Sequence, residues 1–371
     1  MAPGIFPAAV YACDDLAQVD QLLEGGVGGY VYRRDGQPNA DHLADKCRQL
    51  HAAERAVVCA SGMAALATAL LARLRSGNRV VVSNRLYGRT MQLFVHEAAR
   101  LGIESTTVDC CDLASVAPAL ESSPAMLIVE TISNPTLRVA DIDQLSTMCH
   151  QRNVMLLVDN TFASPIVCRP LEHGADLVME SLTKIMNGHS DVLLGLLCCR
   201  ESAWDRIPEV VTTWGFSPAP LDCWLASRGV GTLALRVQRA SDHALAIAER
   251  LSKDHRIQRV IYPGLTTHGD HMVAQRLFAE KYGSMVTFSL PGGRVAVERF
   301  IAAAKDIPLS PSLGDLSTTL SHPATTSHRG LNDVQRASLG INDGLLRLSV
   351  GIESLTGILS SLEAGLAASA G

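Results

Sequence analysis

The feature that most constrains this chain is a repeated alternation between residues 56 and 198. Short continuous apolar runs are separated by turn residues and helical patterns. The runs are Ala56–Cys59, Arg79–Val82, Met126–Val129, Val154–Val158, Leu177–Met179 and Leu193–Cys198. Runs of this length, apolar on both alternating faces, read as strands buried on both sides. Strands alternating with helices predict an α/β fold with a mostly parallel sheet, whose chemistry collects at the carboxyl ends of its strands. Polar residues stand at those ends here: Glu130 after one run, Asp159 after the next and Ser181 after a third.

Three regions follow. Residues 1–45 read as an N-terminal arm, irregular to about Gln37 and glycine-rich, with Gly25-Gly26 and Gly28-Gly29 flanking Val27. Residues 46–231 form the large domain. Residues 232–371 form a smaller C-terminal α+β domain, opening on an amphipathic helix from Thr232 to Leu251, with strands at Val260–Tyr262 and Met285–Leu290 and a helix at Val295–Ala304. A chain of 371 residues with 47% hydrophobic content suits one large core and a second smaller one.

The net charge of −5 gives no basic footprint for nucleic acid. No window reaches the apolar length needed to cross a bilayer, and Met1–Phe6 lacks the pattern of a secretion signal, so the expected compartment is the cytoplasm. The 10 cysteines show no Cys-x-x-Cys spacing and read as buried free thiols; no metal site is expected.

Of the lysines, Lys46, Lys253, Lys281 and Lys305 lie in polar, helical or turn contexts. Lys184 differs. It follows an apolar strand in Ser181-Leu182-Thr183-Lys184, and a buried lysine with a lowered pKa is a nucleophile toward carbonyls. By itself it also reads as a surface lysine after a strand. Asp159, at the end of another strand, can face a positive ring nitrogen or merely cap the next segment. Ser61-Gly62-Met63 turns from strand to helix and offers free backbone N–H groups to an anion, or is an ordinary cap. An aldehyde-trapping lysine, a ring-nitrogen acid and a phosphate cradle together point to pyridoxal 5′-phosphate (PLP), with Lys184 as the Schiff-base lysine.

An ordered series of motifs extends this. It comprises Tyr32–Pro38, Ala60–Ala65, Leu86-Tyr87-Gly88, Glu130–Thr136, Val158–Ala163, Pro170–Leu177, Ser181–Asp191, Ser312–Asp315, His322–His328 and Arg347–Glu353. Across almost its whole length the chain resembles the transsulfuration enzymes, the Cys/Met-metabolism PLP family that includes cystathionine γ-synthases, methionine γ-lyases and O-acylhomoserine sulfhydrylases. The resemblance implies the PLP-dependent transferase fold type I. It also implies roles. Gly62, Met63, Ser181 and Thr183 would hold the phosphate. Tyr32 and Arg34 would reach the phosphate of a neighbouring subunit, making a homodimer of shared sites, assembled further into a tetramer. Tyr87 would stack on the ring and assist the leaving group, and Asn134 would contact the ring hydroxyl. Arg347 and the backbone near Ser312 would bind the substrate carboxylate, a role that a planar guanidinium suits; the other reading of Arg347 is a surface ion pair.

The chain also departs from that family. Gln37-Pro38-Asn39 replaces Asn-Pro-Thr, and Glu180 and Ile185 stand where a polar or aromatic residue is common. Asp35, Gln92 and Ser317 occupy places where cystathionine-handling relatives carry Arg, Arg and Glu. The expected activity is therefore elimination or replacement on a sulfur-containing or O-acylated amino acid, as in methionine γ-lyases and O-acylhomoserine sulfhydrylases. Cystathionine lyase or synthase activity is the nearest alternative, and a non-catalytic PLP-fold binding protein the alternative of another class. A nucleotide-binding α/β protein lacks its glycine fingerprint. Arg89 follows Tyr87-Gly88, where relatives have a small residue or cysteine. It either faces the substrate side chain and favours an acidic one, or points to solvent or pairs with Asp315 or Asp35.

Overall fold

The alternating apolar runs do pair into one sheet. The computed structural model describes residues 3–25, 28–278 and 280–370. Met1 and Ala2 of the terminal stretch, and Gly26 and Val27 of the glycine-rich arm, lie outside the described residues. Seven strands, β1 (Arg55–Cys59), β2 (Arg79–Ser83), β3 (Glu104–Val108), β4 (Met126–Glu130), β5 (Met155–Asp159), β6 (Leu177–Ser181) and β7 (Gly195–Cys199), form a sheet in the order β1-β7-β6-β5-β4-β2-β3. β7 pairs antiparallel with both of its neighbours and all other pairings are parallel. β4 and β7 are buried at every residue, as a strand covered on both faces must be.

A second sheet, β10-β11-β9-β8, is antiparallel throughout and comprises β8 (Arg259–Ile261), β9 (Met285–Ser289), β10 (Thr319–Ser321) and β11 (Leu345–Ser349). It packs against the helices Gly293–Ala303 and Leu355–Ser369 around Phe288, Phe300, Leu346 and Leu362. The helix Leu233–Leu251 joins the two bodies. Leu233 and Val237 belong to the large core, while Ala244, Ile247, Ala248 and Leu251 belong to the small one. None of the helices among the described residues is long and apolar enough to cross a membrane.

The arm is less irregular than expected. A helix, α1 (Leu16–Leu23), starts where the Asp15 side chain accepts from the Gln18 amide, though none of its residues is buried. The next helix, α2 (Pro38–Leu50), opens with proline at its first turn and buries Leu43 and Cys47 against the large core, so it runs across residue 45. Of the ten cysteines, all free, only Cys13 and Cys111 are partly exposed.

Candidate active site

A cavity of about 250 Å³ opens at the carboxyl ends of β4, β5 and β6, and the second sheet closes it with Arg347 and the segment Pro311–Leu313. Its floor is set by α3 (Gly62–Arg73). Ser61 caps that helix, its hydroxyl accepting from the Ala64 amide at 3.1 Å, and the alanine-rich sequence continues it. A Cβ at Gly195, on β7, would stand 2.1 Å from the Ser61 carbonyl oxygen. Only glycine lets the helix start press this closely on the sheet. The first amides of α3, with Ser181 and Thr183 across from them, make an anion cradle.

Lys184 enters from the turn after β6. The buried Arg236 side chain holds that turn by donating to the carbonyls of Ile185 at 2.8 Å and Met186 at 2.9 Å. Gly188 closes the turn at φ 78°, where a Cβ would stand 2.1 Å from Arg236 Nη1. The Lys184 amine donates to Ser312 Oγ at 3.0 Å. Burial, and then the neighbouring Arg347 charge, lower its pKa. A neutral amine is what attack on an aldehyde requires.

Asp159 faces the same cavity from the end of β5 and is 8% exposed. Its Oδ1 accepts from the Thr161 amide at 3.0 Å, and no cationic side chain lies within salt-bridge distance among the described residues. Burial raises its pKa, bonds from Thr161 oppose the rise, and the Glu180 charge adds to it, leaving it at about 6. A buried carboxyl without a cation suits a protonated ring nitrogen. Arg347 is a mirror case. It is 3% exposed, donates to Asn134 Oδ1 at 2.7 Å and to the Ser312 carbonyl at 2.8 Å, and its Nε has no partner. Its face lies 5.6 Å from the centre of the Phe162 ring, and burial lowers its pKa to about 10. A surface ion pair is ruled out as its role in this chain. A buried guanidinium without a carboxylate is costly unless an anion arrives. An aldehyde-trapping lysine, an unpaired acid, an anion cradle and an unpaired guanidinium in one cavity fit PLP and an amino-acid carboxylate.

Gly62, Met63, Tyr87, Asn134, Asp159, Ser181, Thr183, Lys184 and Arg347 all line this cavity, with Ser312 at its rim through the bond to Lys184. Tyr87 is 45% exposed at the mouth. Tyr32 and Arg34 do not line it. Both are exposed, and Arg34 stacks at 5.1 Å over the Tyr32 ring. Arg89 takes the solvent-facing of its two expected placements. It stands in the first turn of the helical run that begins at Gly88, is exposed, and donates to Gln92 Oε1 at 2.7 Å, one turn on along the same surface. Neither suggested acid meets it: Asp315 accepts from Ser190, and Asp35 lies 3.7 Å from Arg34. Arg89 lines an outer cleft with His96 and Arg329, which shares Tyr87 and Ser327 with the inner cavity.

Sequence reasoning gave no role to Glu130, Thr161 or Phe162, all of which line the cavity. Glu130 is buried, its pKa raised first by burial and then by Asp159, and it accepts from the Tyr87 amide at 2.5 Å and the Asn134 amide at 3.4 Å. A carboxylate ending an apolar strand was the available signal.

Known proteins resemble this chain over nearly its whole length. The profile of the family described as Cys/Met metabolism PLP-dependent enzyme matches residues 1–367. An L-methionine γ-lyase of Fusobacterium nucleatum subsp. polymorphum is 36% identical over 99% of this chain and 93% of its own length. An O-succinylhomoserine sulfhydrylase of Pseudomonas aeruginosa is 35% identical over 98% of this chain and 90% of its own. A crystal structure of cystathionine γ-synthase from Xanthomonas oryzae pv. oryzae in complex with cystathionine superposes with a TM-score of 0.94 at 35% identity, covering 100% of this chain and 93% of that one.

Proposed function

The chain belongs to the Cys/Met-metabolism PLP-dependent enzymes, and from that premise we propose that it eliminates or replaces the side-chain substituent of a sulfur-containing or O-acylated homoserine-type amino acid. It is a PLP-dependent transsulfuration enzyme on fold type I. PLP, when bound, supplies the electron sink that makes the substrate Cα–H acidic.

The residues of the chain do the rest. Lys184 would carry the cofactor, and its amine, held beside Ser312, is the group placed to move the Cα proton. Asp159 would face the ring nitrogen and favour a proton there. The first turn of α3, with Ser181 and Thr183, holds the phosphate, and Tyr32 and Arg34 serve the phosphate of a neighbouring subunit. Arg347 binds the substrate carboxylate through the free edge of its guanidinium, with Asn134 and the Ser312 carbonyl fixing its plane. This fixes the amino-acid end, so the substituent points to the mouth, where Tyr87 assists its departure. The single observation that carries the reading is this pairing of a depressed lysine with an anion-seeking arginine in one cavity.

Of the two activities favoured, the chain's similarity to methionine γ-lyases and to an O-succinylhomoserine sulfhydrylase supports both equally. The cystathionine complex supports a second reading as a cystathionine enzyme. Against it, Gln92 is occupied by Arg89, and Ser317 and Asp35 offer no matching clamp. Steady-state assays with methionine, cystathionine, cysteine and O-acylhomoserines, each with and without sulfide, test the proposal. Turnover of cystathionine alone overturns the preference, and turnover of none overturns the reading.

A further inference from the structure

Side chains alternate along a strand, so the residue beside each site group points to the opposite face of the sheet. Behind the cavity those neighbours are joined. Thr131 follows Glu130, Asn160 follows Asp159, and Glu180 precedes Ser181. The Thr131 hydroxyl donates to Asn160 Oδ1 at 2.7 Å. Asn160 Nδ2 donates to Glu180 Oε1 at 2.8 Å and to the Cys168 carbonyl at 3.0 Å. Glu180 Oε1 in turn lies 3.2 Å from Nε2 of His51. The two atoms are in contact without the geometry of a hydrogen bond. His51 caps the carboxyl end of α2, which places its ring beside Glu180. All four side chains are at most 1% exposed.

This row spans the ends of β4, β5 and β6, where the backbone ladder also continues past the strands, with the Thr131 amide bonded to the Asp159 carbonyl at 3.0 Å and the Asn160 amide to the Met179 carbonyl at 2.9 Å. Two hydrogen bonds, Thr131 to Asn160 and Asn160 to Glu180, tie the three strand ends together, so a displacement of one member is passed to the next. We propose that Thr131, Asn160, Glu180 and His51 are positioning residues for Asp159, and that through it they set the affinity of the chain for PLP. The proposal rests on the reading of Asp159 as partner of the ring nitrogen. Outer partners of this sort change the affinity of bound groups without touching them. The Cys47, Cys168 and Cys198 thiols lie near Glu180, and each is held protonated by burial, so none adds a charge to the row.

The test is the dissociation constant of PLP from the apo protein, followed by absorbance, alongside the melting temperature of each apo variant. Thr131→Val keeps size and removes one hydroxyl. Glu180→Leu removes the acceptor, and Glu180→Gln keeps one for Asn160. Thr131→Val and Glu180→Leu should each weaken PLP binding about tenfold, with Glu180→Gln restoring most of it. Should Glu180→Leu fail to fold, Thr131→Val decides alone. Wild-type affinity in folded Thr131→Val overturns the proposal, and the same result in Asp159→Asn removes its premise and the proposal with it. PLP affinity that falls in Asp159→Asn but not in Thr131→Val sinks the row while leaving the ring-nitrogen reading intact.

Discussion

Arg347 on the second sheet donates to Asn134 on the large domain at 2.7 Å, so the seam between the two bodies runs through the proposed carboxylate site. Arg347→Lys keeps the charge but cannot hold both the Asn134 and Ser312 contacts with a planar edge free. The expected loss is about 2 kcal/mol, roughly thirtyfold in kcat/KM, carried mainly by KM. PLP affinity should stay at the wild-type value. Steady-state kinetics with a cofactor titration check this, and a loss confined to kcat counts against it.

Lys184 is the expected point of cofactor attachment. Borohydride reduction of the holoenzyme should fix PLP on the peptide containing Lys184, as read by peptide mass mapping. Lys184→Ala should lose turnover while keeping its circular dichroism spectrum, because among the described residues the amine's hydrogen-bond partner is Ser312 and the side chain is not part of the apolar core. An adduct on another lysine refutes the assignment.

The acid at Asp159 should show itself in the apo protein. Burial lifts its carboxyl to about 6, against roughly 3.9 in an unfolded chain. Between these values the folded state holds a proton that the unfolded state has lost, so stability falls as pH rises. The contribution is up to about 3 kcal/mol. Asp159→Asn should therefore gain stability relative to wild type from pH 4 to 6 in urea titrations of the apo proteins. Loading PLP, whose ring nitrogen favours the ionised carboxylate, should abolish the difference in slope. A wild type and variant that stay parallel across this range argue against a raised carboxyl.

Tyr32 and Arg34 lie outside their own cavity, on an exposed arm whose first helix buries nothing. If they complete a neighbour's site, the active unit is at least a symmetric dimer. Inactive Lys184→Ala and inactive Arg34→Ala subunits, mixed and exchanged, should recover activity, because one of the two sites in a hybrid dimer is intact. Proven exchange without recovery excludes shared sites.

Arg89 now has a defined place in which to fail or succeed. In the outer cleft it stands with Arg329, and the cleft wall contains no carboxylate among the described residues. Arg89→Gly, assayed on substrates with acidic and apolar side chains, should shift preference toward methionine if the arginine reads the substituent. Unchanged selectivity means that its bond to Gln92 is a surface contact worth well under 1 kcal/mol.

The sheet was legible because β4 and β5 are apolar at nearly every residue, and burial on both faces leaves that mark. Asp159 and Lys184 were legible because a charge at the end of such a strand has few other uses. β3 was not, since the edge strand Glu104-Ser105-Thr106-Thr107-Val108 has one paired side and a polar surface. α1 was hidden because it stands alone with no buried face to impose a period. Arg89 was left between two readings for a different reason: adjacency to Tyr87 in sequence fixes its Cα but not the direction of a long side chain, which Gln92 captures. Glu180 was visible only as an oddity, because its partners His51 and Asn160 come from distant segments.

The helix Leu233–Leu251 is rooted in both cores, with Leu233 and Val237 at one end and Ile247 and Leu251 at the other. At 19 residues it is about 28 Å of continuous backbone hydrogen bonding. Neither body can melt without dissolving half of a rod that the other still grips. The chain should consequently unfold in a single calorimetric transition, and cutting it after Val230 should release no independently folded half.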